Sequence, residues 1–327
     1  GYARHLRITN NQIENNGGAY AGAIRLGTPD MPEPYDDNQN DDILILRNRI
    51  VGNGGTNLAG AIGVFAGTEN YEIAGNDICG NFSAEYGGGI SHYGESPGGS
   101  IHHNRIYFNR SYDEGGGIMV AGELRTTLSP GAGAVDVHAN LIQGNLANDD
   151  GGGLRFLMAG NFPFNVYNNM IVNNISTHEG GGVSLNDAPD VRFYNNTVMN
   201  NLTTATAMTS NGLAAPAGFS SSRNSNLLNE DLYGPGYDCT AVDVDCFSNP
   251  LMFNNIFWDN RAGTWTGDGV VGIGLDGDPS PIFYWDLGVA GNAGELSPTY
   301  TLMQVQNGVP DDTNLIGQDP LVVAEYD

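Results

Sequence analysis

Apolar residues along this chain fall in short runs that alternate with polar ones, and the same runs return about every 28 residues. The pattern Asn-x-Ile-x-x-Asn begins at Asn11, Asn48, Asn76, Asn104, Asn140, Asn169, Asn196 and Asn255. Two positions after each first Asn stands Ile13, Ile50, Ile78, Ile106, Ile142, Ile171, Val198 or Phe257. Three positions before it stands Ile8, Ile45, Ile73, Ile101, Val137, Val166, Phe193 or Met252. Five positions after it comes a second Asn: Asn16, Asn53, Asn81, Asn109, Asn145, Asn174, Asn201 or Asn260. A further run follows a short polar turn, AGAI at Ala21 and Ala59, GGGI at Gly87 and Gly115, GGGL at Gly151 and GGGV at Gly180. It opens an inward column of Ile24, Ile62, Ile90, Ile118, Leu154 and Val183, continued by Leu26, Val64, His92, Val120, Phe156 and Leu185.

A period of two, β-branched residues and closing Gly or Asn describe strands. Antiparallel hairpins would bring equivalent positions back far sooner than once in ~28 residues, so each repeat completes one circuit. Its residues then stack on those of the next circuit at the ~4.8 Å strand spacing. The expected fold is an all-β right-handed parallel β-helix of about ten or eleven coils, roughly 50 Å long. Asn suits its corners, because it tolerates the left-handed conformation and its amide can bond the next amide of a ladder. His92 falls in an inward column and reads as a core histidine with its hydrogen bonds satisfied.

The expected organisation is a single domain over 1–327. Residues 1–201 form regular coils with an acidic insertion at 27–42, which holds Asp30, Glu33, Asp36, Asp37, Asp41 and Asp42. Residues 202–250 form a long insertion, and 251–327 form irregular C-terminal coils. Successive first Asn residues lie 37, 28, 28, 36, 29, 27 and 59 residues apart, and the last gap suggests a weak extra coil at Asn224 and Asn229. A degenerate late copy is expected at Asn314, Ile316 and Asp319. The chain opens on Gly1 inside a strand-like segment, without Met or a leader, as expected of a processed or truncated piece.

Composition narrows the chemistry. There are 37 Asp and Glu against 12 basic residues, all Arg, for a net charge of -25. Such a chain repels phosphate backbones, so nucleic acid is not an expected partner, and Lys chemistry is excluded. No apolar stretch reaches the ~20 residues that span a bilayer. Cys239 and Cys246 lie close together in one loop-like stretch and are expected to form a disulfide, which would indicate an oxidising compartment. Five Asn-x-Ser/Thr sequons, at Asn81, Asn109, Asn174, Asn195 and Asn201, read as by-products of an Asn-rich repeat.

Two side-chain columns carry candidate function. Glu114, Asp150 and Glu179 share one turn position; Glu85, Asp113, Asp149 and His178 share the one before it. Stacked like charges repel unless they are hydrated, protonated or bridged, so the first column is a candidate calcium edge, weighed against ordinary hydrated turns. With Arg155 nearby, the same acids are what a polysaccharide lyase or glycoside hydrolase would require, but no distinct acid–base pair stands out. His102, His138, Tyr167 and Tyr194 form an outward column continued by Phe253, a candidate contact stripe for sugars or another protein.

The Gly-Gly-Ala/Gly-Ile/Leu/Val and Phe/Ile-x-x-Asn motifs resemble the repeats of the chlamydial polymorphic outer-membrane protein family, and more broadly those of bacterial right-handed β-helix repeat proteins. Asn254–Asn260 and Asp319–Val322 resemble those proteins' late coils. The likeness covers residues 1–201 closely and 250–327 loosely. It implies extracellular or cell-surface exposure and an adhesive or scaffolding role, and it brings no catalytic residues with it. The expectation is therefore a non-enzymatic scaffold or adhesin that binds a glycan or surface protein. A polysaccharide-acting enzyme and a self-associating filament subunit are the alternatives.

Overall fold

The computed structural model describes residues 2–31, 37–241 and 243–323. The repeats wind into a right-handed parallel β-helix with four faces. Sheet I runs from Arg7–Thr9 to Leu251–Phe253, and sheet III from Gly17–Gly18 to Arg261–Ala262. Sheet IV runs from Ile24–Leu26 to Leu287–Val289. Each of these holds 8 strands, whereas sheet II, from Gln12–Glu14 to Leu315–Ile316, holds 10. Each of the first eight coils adds one strand to each face, and two later turns of the chain, Leu302–Met303 and Leu315–Ile316, extend sheet II alone, so neighbours within a sheet are successive repeats and not successive strands.

The columns read from the sequence are the interior. Ile106 pairs with Ile78 on one side and Ile142 on the other, and all three are fully buried. His92 is buried too: its Nδ1 lies 2.7 Å from the Tyr71 hydroxyl and its Nε2 2.8 Å from the Ala132 carbonyl. Burial pushes its pKa down to about 4, so the ring is neutral, accepting from Tyr71 and donating to backbone.

The Asn ladder is a directional hydrogen-bond chain. Both the backbone N–H and the side-chain amide of Asn76 donate to Asn104 Oδ1, at 2.9 and 3.0 Å, while Nδ2 also donates to the Ile45 carbonyl at 2.8 Å. The same triad repeats at the second corner, as at Asn81 with Asn109 and Ile50. The left-handed duty belongs to a different residue than expected. Positive φ occurs immediately before the ladder Asn, as at Asn168 (φ 55) and Asn173 (φ 57). The ladder Asn itself keeps ordinary backbone and turns its amide inward. Four of the five sequon Asn are ladder members, at most 1% exposed, and only Asn195 faces solvent.

The expected extra coil at Asn224 and Asn229 does not exist. Asn196 donates across the 59-residue gap directly to Asn255 Oδ1 at 3.0 Å, so these are adjacent coils. Within the gap, Phe219–Ser221 is an ordinary strand of sheet IV, and Asn226–Tyr233 is a short helix N-capped by Ser225. The long insertion is thus two excursions on either side of a regular strand. Asn224 accepts from Ser248, and Asn229 sits in the helix with its N–H bonded to the Ser225 carbonyl. The late copy does exist. Leu315–Ile316 pairs with Leu302–Met303, and Asn314 Oδ1 accepts from Thr301 N.

In the acidic insertion, Asp41 pairs with Arg4 and Asp42 with His5, while Asp30 accepts from the Tyr93 hydroxyl. Glu33 and Asp36 lie outside the described residues. Cys239 and Cys246 are joined, with their Cα atoms 5.5 Å apart. Among the described residues no helix is long and apolar enough to cross a membrane.

Candidate functional site

The glycine runs create the first site. Gly151 has φ +68, and a Cβ on Gly152 would stand 2.4 Å from the Ile175 carbonyl oxygen, so neither position accepts a side chain without displacement. This tight turn folds the preceding residues back over the outer face of sheet IV. That face is therefore a second buried layer. In early coils it is apolar: Leu58, Phe65, Tyr93, Met119 and Ala121 form a cluster, with Tyr20, Tyr86 and Leu157 packed against it. In later coils the same positions carry Glu114, Asp150 and Glu179 over Arg155, Ser184 and Ser220, and the layer becomes ionic.

Arg155 is the centre of this layer, its side chain 4% exposed. Its Nε donates to Glu114 Oε2 at 2.5 Å, one terminal nitrogen lies 3.2 Å from Asp150 Oδ2, and another donates to Ser184 Oγ at 2.5 Å. Glu179 accepts from Ser220 Oγ at 2.7 Å. Burial, reinforced by the Asp150 carboxylate, pushes Glu114 and Glu179 up to about 7 against the opposing pull of Arg155.

At the rim, His178 Nδ1 lies 3.2 Å from Asp149 and 3.0 Å from Asp150. The close approach of these two carboxylates raises its pKa to about 10, against the opposing effect of burial. Burial alone would raise Asp149, but His178 and the hydroxyl of Thr209, 2.7 Å away, outweigh it and hold the carboxyl low.

The structure thus assembles the predicted Glu114, Asp150 and Glu179 in one column, but around a guanidinium. Ser184, Ser220 and Thr209 complete the network, and none of the three belongs to the columns read from the sequence. Ser184 and Ser220 were findable, since they continue the outward column of Arg155. Among the described residues, ligand atoms that approach within 4.8 Å of one another belong to two other groups, Asp149–Asp150–His178 and Asp113–Glu114–Asp149. His178, protonated up to about pH 10, is a poor ligand for calcium, which prefers oxygen. Arg155 already supplies the charge that would relieve repulsion along the Glu114–Asp150–Glu179 column. Millimolar calcium should therefore move the melting temperature by less than about 2 °C relative to chelator. A larger rise that is lost in Asp149→Ala would establish a rim site.

The second site is the outward column of sheet I. His102 and His138 stack with centroids 4.7 Å apart and planes 7° from parallel, and His138 stacks on Tyr167 at 4.6 Å. Tyr167 and Tyr194 follow at 5.1 Å, then Tyr194 and Phe253 at 5.0 Å. The rings cover one another's faces, so most of the column presents edges, hydroxyls and ring nitrogens to solvent, not flat surfaces. Phe253 is the exception. It pairs with the much smaller Thr299, and a shallow pocket of about 420 Å³ opens among Phe253, Asn254, Thr299 and Tyr300.

No family model, curated protein or solved structure matches this chain.

Proposed function

We propose that this protein is a non-catalytic extracellular or cell-surface scaffold that binds a glycan or protein partner on the outward faces of its coils. The observation that carries the proposal is the five-ring column from His102 to Phe253. It lies on a face whose corners into sheet II turn on one left-handed residue each, so the insertions at other corners do not interrupt it. A rigid array with its hydrogen-bonding edges at strand spacing suits recognition of an extended partner. The Cys239–Cys246 bond fits an oxidising compartment, and the motif likeness to chlamydial surface repeats points the same way.

The alternative of a polysaccharide-acting enzyme is favoured by one observation, the pair of buried carboxyls pushed up to about 7. Against it, Glu114 and Asp150 turn inward onto Arg155, whose guanidinium fills the space between them. Substrate would have to displace a charge buried in contact with two carboxylates.

Glycan-array binding combined with a depolymerisation screen tests the proposal. Binding without cleavage is expected, and Tyr167→Ala with Tyr194→Ala should weaken it about tenfold or more while the coil stays folded. Cleavage of a defined polysaccharide that is lost in Asp149→Ala, Asp150→Ala or Arg155→Ala would overturn the binding reading in favour of the enzyme.

A further inference from the structure

Three consecutive coils carry a solvent-facing strip without charge. Residues 137–147, 166–176 and 193–203 cross sheets I, II and III and contain no Asp, Glu or Arg, in a chain of net charge -25. Burial and the neighbouring His102 push His138 below the ordinary imidazole range, so the only imidazole on the strip is neutral at physiological pH. Beside the ring column, Leu141, Met170 and Thr197 stand next to one another on sheet II. Leu146, Ile175 and Leu202 do the same on sheet III. One-residue corners keep the strip free of insertions. Its charged borders are Arg105 and Arg110 on the preceding coil, the Asp259–Arg261 pair at 2.6 Å on the following one, and, along the edge of sheet I, Asp136 and Arg192, the latter beside Asp190 at 3.7 Å.

We propose that this strip docks a neutral, linear glycan that runs along the rod axis past Tyr167 and Tyr194 to the open ring of Phe253. The inference rests on the binding-scaffold reading above and names its partner class. Charge is the selecting property. An anionic polymer is repelled by the net charge of the whole chain. A cationic one is drawn to the carboxylate turns, and on the strip its charges would lie unpaired against aliphatic side chains. A second copy of this chain would bring an equal negative charge alongside.

A neutral glycan meets none of these costs. Its hydroxyls match the Tyr167 and Tyr194 hydroxyls, its C–H faces suit the aliphatic rows, and one sugar ring can lie on Phe253 beside Tyr300. An extended β-1,4-linked glycan also advances by close to one strand spacing per sugar unit, so successive units meet equivalent positions of successive coils.

Affinity electrophoresis of the full chain provides the test, using gels that contain mixed-linkage glucan, glucomannan, neutral xylan, polygalacturonate or chitosan. At least one neutral polymer should retard the chain, with little dependence on salt because no ion pairs are formed. Met170→Glu with Thr197→Glu places charge on the outward face and should weaken retardation about tenfold or more. Phe253→Ala with Tyr300→Ala should weaken it as well, with unchanged far-UV spectra and melting temperature showing that the coils remain intact.

Retardation by none of the neutral polymers, or only by polygalacturonate or chitosan with strong salt dependence, would overturn the neutral-glycan inference. A protein or charged partner found on another face would leave the scaffold reading standing. Cleavage of a polymer would remove both.

Discussion

Asn109→Leu should lower stability by about 4 kcal/mol, read as a fall in the urea midpoint at unchanged slope. Asn109 is 1% exposed and lies in the middle of its ladder. Its Oδ1 accepts from the backbone N–H of Asn81 at 3.0 Å and from Asn81 Nδ2 at 2.9 Å. Leu matches the size of Asn but accepts nothing, so two donors buried inside the coil lose their partner. An unsatisfied buried donor costs about 1–3 kcal/mol. Asn11→Leu is the control, because Asn11 is an exposed ladder residue of the first coil. It donates to Asn48 Oδ1 at 3.0 Å, and no ladder Asn among the described residues donates to it. That change should cost about 1 kcal/mol or less. Equal losses at the two positions would mean that the ladder is not the directional chain described above.

The contrast between Asn109 and Asn11 also shows which parts of the fold could be read in advance. The inward columns were legible because burial imposes one chemistry, aliphatic, on every coil, and eight copies in phase leave little room for another architecture. The ladder was legible for a similar reason, since a buried amide that must bond its own copy tolerates few replacements. Where a replacement did occur, as at Thr301 with its hydroxyl in place of an amide, the coil disappears from the pattern although it is present in the structure.

The extra coil expected at Asn224 and Asn229 failed for the opposite reason. Two Asn residues five apart also arise around a capped helix, and nothing local separates the two arrangements. The aromatic column was placed correctly by alternation alone. Its face-to-face stacking follows from parallel register at strand spacing, which turns a row of candidate platforms into a row of edges.

The ionic layer was harder to see, because a column of acids before a glycine run looks like a hydrated turn. The contrary signal lay on the facing strand. Outward positions of sheet IV hold Phe65, Tyr93, Met119 and Ala121, residues unsuited to a solvated face, and they imply a covering layer. Reading that column together with the turn column would have placed Arg155 beneath Glu114, Asp150 and Glu179.

Arg155→Met tests this layer, and its effect should depend on pH in a stated direction. Breaking a buried ion network by removing one partner costs about 3–5 kcal/mol, because the remaining charges stay buried without compensation. In the parent protein Glu114 and Glu179 titrate at about 7, above the ordinary carboxylate range, because burial favours their protonated forms. Their folded pKa is raised, so the stability linked to these protons is fully present below the unfolded value, near about 4.3, and is lost as pH rises through about 7. His178 adds a loss of the same sign at higher pH, since its stabilisation disappears as pH rises through about 10. Without Arg155 the pull that lowers both glutamates is gone, and their titration moves further up. The stability difference between parent and variant should therefore be largest near about pH 8.5, where the parent carboxylates are ionised around the guanidinium and the variant must bury them bare or keep them protonated. It should shrink by more than half near about pH 5, where both proteins carry protonated Glu114 and Glu179. Asp286, pushed up to about 6 by burial, titrates alike in both proteins and cancels in the difference. Urea midpoints at the two pH values give the comparison directly. A difference of the same size at both would mean that Arg155 acts through packing alone and that the carboxylates above it are not buried as a network.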